Sequence, residues 1–179
     1  MIKSKVIGLA AALFILGSQA AMAGIGQFSF TSIEGGALDT AAWEGKPVLV
    51  VNSASRCGFT PQYNGMQDLY DRYRDQGLVV LAVPSQDFRQ ELATAEEVQD
   101  FCAVNFDLDF PMTDITSVRG DTAHPFYKWV KQETGFEPTW NFHKVLIGPD
   151  GEILGTYDSL VKPTSSKITK AVEQALAGN

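Results

Sequence analysis

The stretch Pro47-Val-Leu-Val-Val-Asn-Ser-Ala-Ser-Arg-Cys-Gly-Phe-Thr-Pro61 decides the fold. Its first six residues form a continuous apolar run ending in Asn52, the pattern of a strand buried on both faces. Thr60 and Pro61 read as a helix N-cap and first helical position, opening a helix that runs to about Asp75. Gly77 ends that helix, and residues 78–83 form a second buried strand. The chain thus begins its core with strand, helix, strand.

Beyond it, Thr94-Ala-Glu-Glu97 is a capping-box pattern that starts a helix through about Asn105. Residues 124–133 read as a third helix. Residues 144–147, the turn Gly148-Pro-Asp-Gly151 and residues 152–157 read as an antiparallel hairpin. Thr164 is expected to cap a last amphipathic helix with Ile168, Val172 and Ala175 at helical spacing. Residues 27–31 are a possible edge strand on the N-terminal side. The fold class is α/β: a mixed sheet with helices on both faces. A βαβ start followed by a ββα finish is the thioredoxin-like arrangement, which is a fold and not a function.

Composition bounds the rest. A chain of 179 residues, 45% hydrophobic and 20% charged, suits one domain with a substantial core and argues against disorder. With 14 Lys plus Arg against 21 Asp plus Glu, the net charge of -7 lacks the basic footprint of a nucleic-acid binder. Two Cys are too few for a disulfide scaffold, and two His at this spacing do not make a zinc site, so no metal or cofactor is expected. Residues 1–23 read as a cleaved secretory leader: Lys3 and Lys5, an apolar run over 6–17, then Ala21-Met-Ala23. That run is shorter than the roughly 20 residues of a membrane span, so no stable membrane anchor is expected. The domain then covers 24–179, and losing Lys3 and Lys5 moves its net charge from -7 to -9. Export, with a bacterial periplasm as the address, places both Cys in an oxidising compartment.

Cys57 lies between the first buried strand and a helix start. In an open α/β sheet, sites form at the carboxyl end of such a strand, and a helix start favours the thiolate that thiol chemistry needs. The opposing possibility is a small buried hydrophobe, since free Cys is among the most buried residue types. Cys102 lies 45 residues on, late in the second helix. The two thiols form a static bridge, never meet, or act as attacking and resolving partners, with Cys57 oxidised to sulfenic acid and Cys102 condensing with it. No Cys-x-x-Cys is present, which speaks against a thioredoxin-type dithiol.

The stretch Gly45-Lys-Pro-Val-Leu-Val-Val-Asn-Ser-Ala-Ser-Arg-Cys-Gly-Phe-Thr-Pro-Gln-Tyr63 resembles the first signature of the glutathione peroxidase family, in its cysteine-using branch. Trp140-Asn-Phe-His-Lys-Val-Leu-Ile147 is similar to its Trp-Asn-Phe box, and Phe110-Pro-Met and His124-Pro-Phe-Tyr-Lys128 sit in family order. The resemblance runs from about Gly45 to Ala175. It implies a thioredoxin-like fold and reduction of hydroperoxides to water or alcohol. It places the peroxidatic sulfur at Cys57, with Trp140 and Asn141 around it. Cys102 resembles the resolving position of thioredoxin-dependent members, which implies a thioredoxin-like protein or a low-molecular-weight thiol as reductant.

One signature departs. The family's Phe-Pro-Cys-Asn-Gln-Phe-Gly is Val83-Pro-Ser-Gln-Asp-Phe-Arg89 here, so Asp87 stands at the catalytic Gln position, and a one-residue shortening follows before Gln90-Glu91. An amide donates and accepts, whereas a carboxylate only accepts and opposes a neighbouring thiolate. Either a protonated Asp87 donates, or Gln86 swings in. The alternative function is a periplasmic redox sensor or relay that passes its disulfide to a partner protein, with weak peroxidase activity. The short segment between Lys131 and Trp140 implies a monomer with an open site. His124 reads as structural, and His143 as pointing away from the sulfur.

Overall fold

Strand β1 (Val48–Ser53) is buried along its whole length, as its apolar run requires. A computed structural model describes residues 24–178, so the leader expected over 1–23 lies outside the described residues. Strand β2 (Val79–Pro84) pairs parallel to β1, from Val48 opposite Val79 to Ser53 opposite Pro84. On the other side β3 (Lys144–Ile147) pairs antiparallel to β1, and β4 (Ile153–Tyr157) antiparallel to β3. The order is β2-β1-β3-β4, a mixed sheet with β1 inside it. The expected hairpin is present, with a register irregularity between Leu146 and Ile147.

Among the described residues, four α-helices cover the sheet: α1 (Gln62–Tyr73), α2 (Ala95–Phe106), α3 (Pro125–Thr134) and α4 (Ser166–Ala177). Strand alternation assigns them. Leu49, Val51, Val80, Ala82 and Leu146 pack with Tyr63, Met66 and Leu69 of α1, Val98 and Cys102 of α2, and Ile168 and Val172 of α4. Val48, Val50, Val79, Leu81, Val145 and Ile147 point the other way, onto Phe126, Tyr127 and Val130 of α3. Successive side chains of a strand face opposite sides, so one unbroken apolar run serves two cores. This is the α/β, thioredoxin-like arrangement with helices on both faces.

Three local expectations are corrected. Thr60 does not cap α1: its hydroxyl donates to the Ala54 carbonyl at 2.7 Å and accepts from the Cys57 amide at 3.1 Å, so it braces the preceding turn. The last helix has Ser165, not Thr164, at its N-cap position, and no side-chain cap bond. Residues 27–31 form no strand. The segment starts as a 3-10 turn, Ile25–Gln27, and Thr31 bridges Ala37 across Gly35 and Gly36, whose φ of 89° and 77° close the turn. The capping box at Thr94 does form, with Glu97 reaching back one residue further, to the Ala93 amide. His124 is structural, as expected. It caps α3 by accepting from the Phe126 amide, and its ring stacks on Phe30.

Candidate active site

The chain leaves β1 at Ser53 and makes two turns before α1 starts at Gln62. Cys57 sits within them, buried at the carboxyl end of an inner strand. Its sulfur accepts the Phe59 amide at 3.4 Å. Amides of Thr60, Gln62 and Tyr63 each bond to the carbonyl three residues back, so the turns wind directly into the helix. The sulfur thereby takes the acceptor place that an N-cap side chain would hold, facing amide donors.

Two other segments close over this turn. After β2, residues 85–92 fold back onto it: the Arg56 amide donates to the Gln90 carbonyl at 2.9 Å, and the Ser55 amide to Glu91 Oε1 at 3.0 Å. Arg89, in the left-handed region at φ 58°, turns the chain just before Gln90. Glu91 is buried, and that burial raises its carboxyl above the ordinary value. The second segment, 140–143, is locked to Asn52. Its side chain donates to the Trp140 carbonyl at 3.0 Å and accepts the His143 amide at 3.0 Å, while its carbonyl accepts the Phe142 amide at 2.6 Å. Phe142 is fully buried at φ 61°, where a bulky residue is strained by about 1–3 kcal/mol. The strained turn leaves Trp140 with 41% of its surface exposed, leaning on Phe88, and buries Asn141 completely.

Asn141 Nδ2 donates to Gln90 Oε1 at 3.0 Å, and its buried Oδ1 has no partner among the described residues. Behind it, the Ser159 hydroxyl donates to the Asn141 carbonyl at 2.6 Å and accepts from His143 Nδ1 at 3.1 Å, so His143 carries its hydrogen on Nδ1. Burial lowers the affinity of His143 for a second proton. Lys144 Nζ is also buried and donates to Gln62 Oε1 and the Phe142 carbonyl, at 2.7 and 2.8 Å. These bonds tie the start of α1 to the Trp140–Asn141 turn.

The five residues singled out in the sequence do not all converge. Gln90 joins the residue before Cys57 to Asn141, its carbonyl accepting from the Arg56 amide and its Oε1 from Asn141, and Trp140 shares the Asn141 turn. Asp87 is turned to another segment: its carboxylate accepts the Val118 amide at 2.6 Å, the Arg119 amide at 3.2 Å and the Ser117 hydroxyl at 3.2 Å. Gln86 does not swing in, because its amide brackets the Glu91 backbone, donating at 3.1 Å and accepting at 3.2 Å. Gln90 was not singled out by its sequence. Its only cue was being the next amide after the one-residue shortening that follows 83–89. Cys102 lies under α2 in the same core as Cys57, with Tyr63 packed among them, and both thiols are free.

Burial pushes the Cys102 thiol up to about 11 from its ordinary 9.0. The folded value is raised, so folding favours the protonated thiol. This contribution is present in full below pH 9 and lost as pH rises through 11, about 3 kcal/mol across the two units. Lys144 works in the opposite sense. Burial pushes it down to about 8, so stability grows as pH climbs from 8 towards 10.5. The two windows overlap, and a difference isolates the thiol. Urea-unfolding stability of the wild type minus that of Cys102→Ala should decline by about 2 kcal/mol between pH 8.5 and 11. A flat difference would contradict the assigned burial of this thiol.

Among the described residues, no group of three His, Cys, Asp or Glu side chains gathers as a metal site needs. The sequence profile of the GSHPx family, glutathione peroxidase, matches residues 25–131. The chain is 40% identical over 159 residues to "Probable glutathione peroxidase 5" of Arabidopsis thaliana, covering 86% of this chain and 91% of that one. It is 38% identical over 149 residues to "Hydroperoxy fatty acid reductase Gpx2" of Synechocystis, covering 83% and 96%. The crystal structure of Trgpx in apo form superposes with a TM-score of 0.69 at 31% identity, covering 86% of this chain and 96% of that one. A thioredoxin-family thiol:disulfide interchange protein from Chlorobium tepidum shares the fold alone, with a TM-score of 0.64 at 16% identity over 89% of this chain and 99% of that one. A buried cysteine turn at the end of an inner strand, a Trp-Asn turn in a neighbouring segment, and relatives matched over nearly their whole length agree, and the chain belongs to the glutathione peroxidase family as a peroxidase on the thioredoxin-like fold.

Proposed function

We propose that this chain reduces hydrogen peroxide and organic or lipid hydroperoxides through Cys57, with Cys102 as the resolving thiol. The observation that carries the proposal is the Cys57 turn, whose sulfur accepts a backbone amide and whose neighbour Arg56 is bonded to the loop that holds Asn141. The Cys57 thiolate attacks the terminal peroxide oxygen and the O–O bond breaks. The departing oxygen takes the electron pair and a proton, giving Cys57 sulfenic acid and an alcohol or water. The Cys102 thiol then attacks the Cys57 sulfur and displaces the sulfenic hydroxyl as water, forming a Cys57–Cys102 disulfide. A dithiol protein of thioredoxin type, or a small thiol, returns both cysteines to the reduced state.

Bulky substrates fit the surroundings. A cavity of about 450 Å³ opens beside the turn, lined by Gly58, Phe59, Pro61, Leu160, Lys162 and Pro163. Leu160 is largely exposed there. A similar protein bears the name hydroperoxy fatty acid reductase, which supports an acyl chain as one substrate tail. We further propose a monomer exported to a bacterial periplasm, on the leader pattern in 1–23 and the short segment before Trp140.

Single-turnover oxidation tests the cycle. One equivalent of hydrogen peroxide or of a fatty-acid hydroperoxide should consume both thiols, with mass analysis finding one Cys57–Cys102 disulfide and a loss of two hydrogens. A product that stays at sulfenic or sulfinic acid on Cys57, with Cys102 still a free thiol, would overturn the two-cysteine cycle.

A further inference from the structure

Three polar side chains of the loop after β2 are candidates to face the oxygen that leaves in a peroxide step at Cys57. Asp87 is already engaged by the amides of Val118 and Arg119 and the hydroxyl of Ser117. Gln86 spends both ends of its amide on the Glu91 backbone. Gln90 remains. Its backbone carbonyl holds Arg56, the residue before Cys57, and its side-chain oxygen accepts from Asn141. That bond orients the group: with Oε1 committed to Asn141, the Nε2 amine is presented on the other side. Among the described residues Nε2 makes no hydrogen bond, and Gln90 is only half-buried, so the donor faces the accessible side of the pair. Asn141 beside it is fully buried, so the Asn141–Gln90 bond holds Gln90 against a fixed partner.

We propose that Gln90, paired with Asn141, donates the hydrogen bond that orients the hydroperoxide and stabilises the oxygen leaving in the Cys57 step, and that Asp87 serves only to hold the 117–119 segment. This rests on the peroxidase reading of Cys57. In the step the O–O electron pair moves to the leaving oxygen, and Gln90 Nε2 meets the charge that develops there. The proton that completes the alcohol comes from solvent, and the amide itself is unchanged. A preorganised donor of this kind is worth about 10²–10³-fold in rate.

The test is the second-order rate constant for Cys57 oxidation, measured with peroxides whose leaving groups differ in basicity: peracetic acid, hydrogen peroxide and tert-butyl hydroperoxide. Gln90→Met should lose about 10²–10³-fold with tert-butyl hydroperoxide. The loss should be smaller with peracetic acid, because a weakly basic leaving oxygen needs the donor least. A steeper dependence on leaving-group basicity is the readout that a merely structural role would not produce. Gln90→Glu keeps an acceptor for Asn141 but has no amine, and it should show the same steepening, which guards against a fold defect in Gln90→Met. Asp87→Gln should leave rate and slope within about threefold of wild type, since position 87 faces elsewhere. The proposal is overturned if both Gln90 variants keep the wild-type slope, or if Asp87→Gln raises the rate tenfold. A wild type that does not react with any of the three peroxides would instead sink the peroxidase reading beneath it.

Discussion

Cys57→Ser is expected to lower hydroperoxide reduction by about 10⁴-fold or more while the fold stays intact. The substitution is nearly isosteric, and the one bond it touches is conserved in kind, because a hydroxyl also accepts the Phe59 amide. What disappears is the nucleophile of the proposed cycle. A serine hydroxyl needs an adjacent general base, and the nearest histidine in sequence to the Trp140–Asn141 turn has both ring nitrogens occupied, by Thr139 and Ser159. The second thiol cannot stand in. With Cys102 pushed up to about 11, on the order of one part in 10⁴ is thiolate at neutral pH, and it is buried besides. Stopped-flow peroxide consumption together with a melting curve checks both halves. Turnover within tenfold of wild type, at an unchanged melting temperature, would remove Cys57 from the mechanism.

The parts of this site that the sequence made legible share one property: they are set by neighbours within a few residues. The apolar run 47–52 could only be a strand buried on both faces, and an inner strand fixes where its carboxyl end opens. Cys57 followed from that. The Trp140–Asn141 pair was legible only by resemblance, since a Trp taken alone is more often a core aromatic. Errors arose where a polar side chain had a choice. Thr60 looks like a cap in any local reading, yet its hydroxyl is claimed by Ala54 and Cys57 on the other side. Asp87 was placed by motif order alone, whereas its orientation and that of Gln90 depend on a turn at Arg89 with positive φ and on amides at 118–119, some thirty residues distant from Asp87. A carboxylate facing two free amides is drawn to them more strongly than a neutral amide would be, which sends Asp87 outward and leaves Gln90 beside Asn141. No pattern of period two or 3.6 encodes that competition.

The second large effect concerns Cys102. In Cys102→Ser the first oxidation of Cys57 should keep its wild-type rate, while sustained turnover with a thioredoxin-type reductant should fall by at least about 10²-fold. An external thiol must then replace an intramolecular one of much higher effective molarity. The structure adds a kinetic consequence. Cys102 is a protonated thiol packed beneath α2, and bridging requires its Cα to come within about 7 Å of that of Cys57. Release of α2 is the cheapest route, because that helix buries only Val98 and Cys102, where α1 of the same length buries Tyr63, Met66, Leu69 and Tyr73. Elements with few buried apolar contacts open at a fraction of the global unfolding free energy. Leaving the core also removes the burial that holds the thiol protonated, so in the proposed cycle the motion that would bring Cys102 to Cys57 would also make it a nucleophile. Disulfide formation should therefore be slower than the peroxide step. It should accelerate in urea well below the unfolding midpoint, and rise with pH towards the ordinary thiol value, not towards 11. Monitoring tryptophan fluorescence against mass-resolved disulfide after a peroxide pulse separates the two steps. Resolution that is insensitive to low urea, or as fast as the oxidation itself, would mean that the two sulfurs meet without any opening of α2.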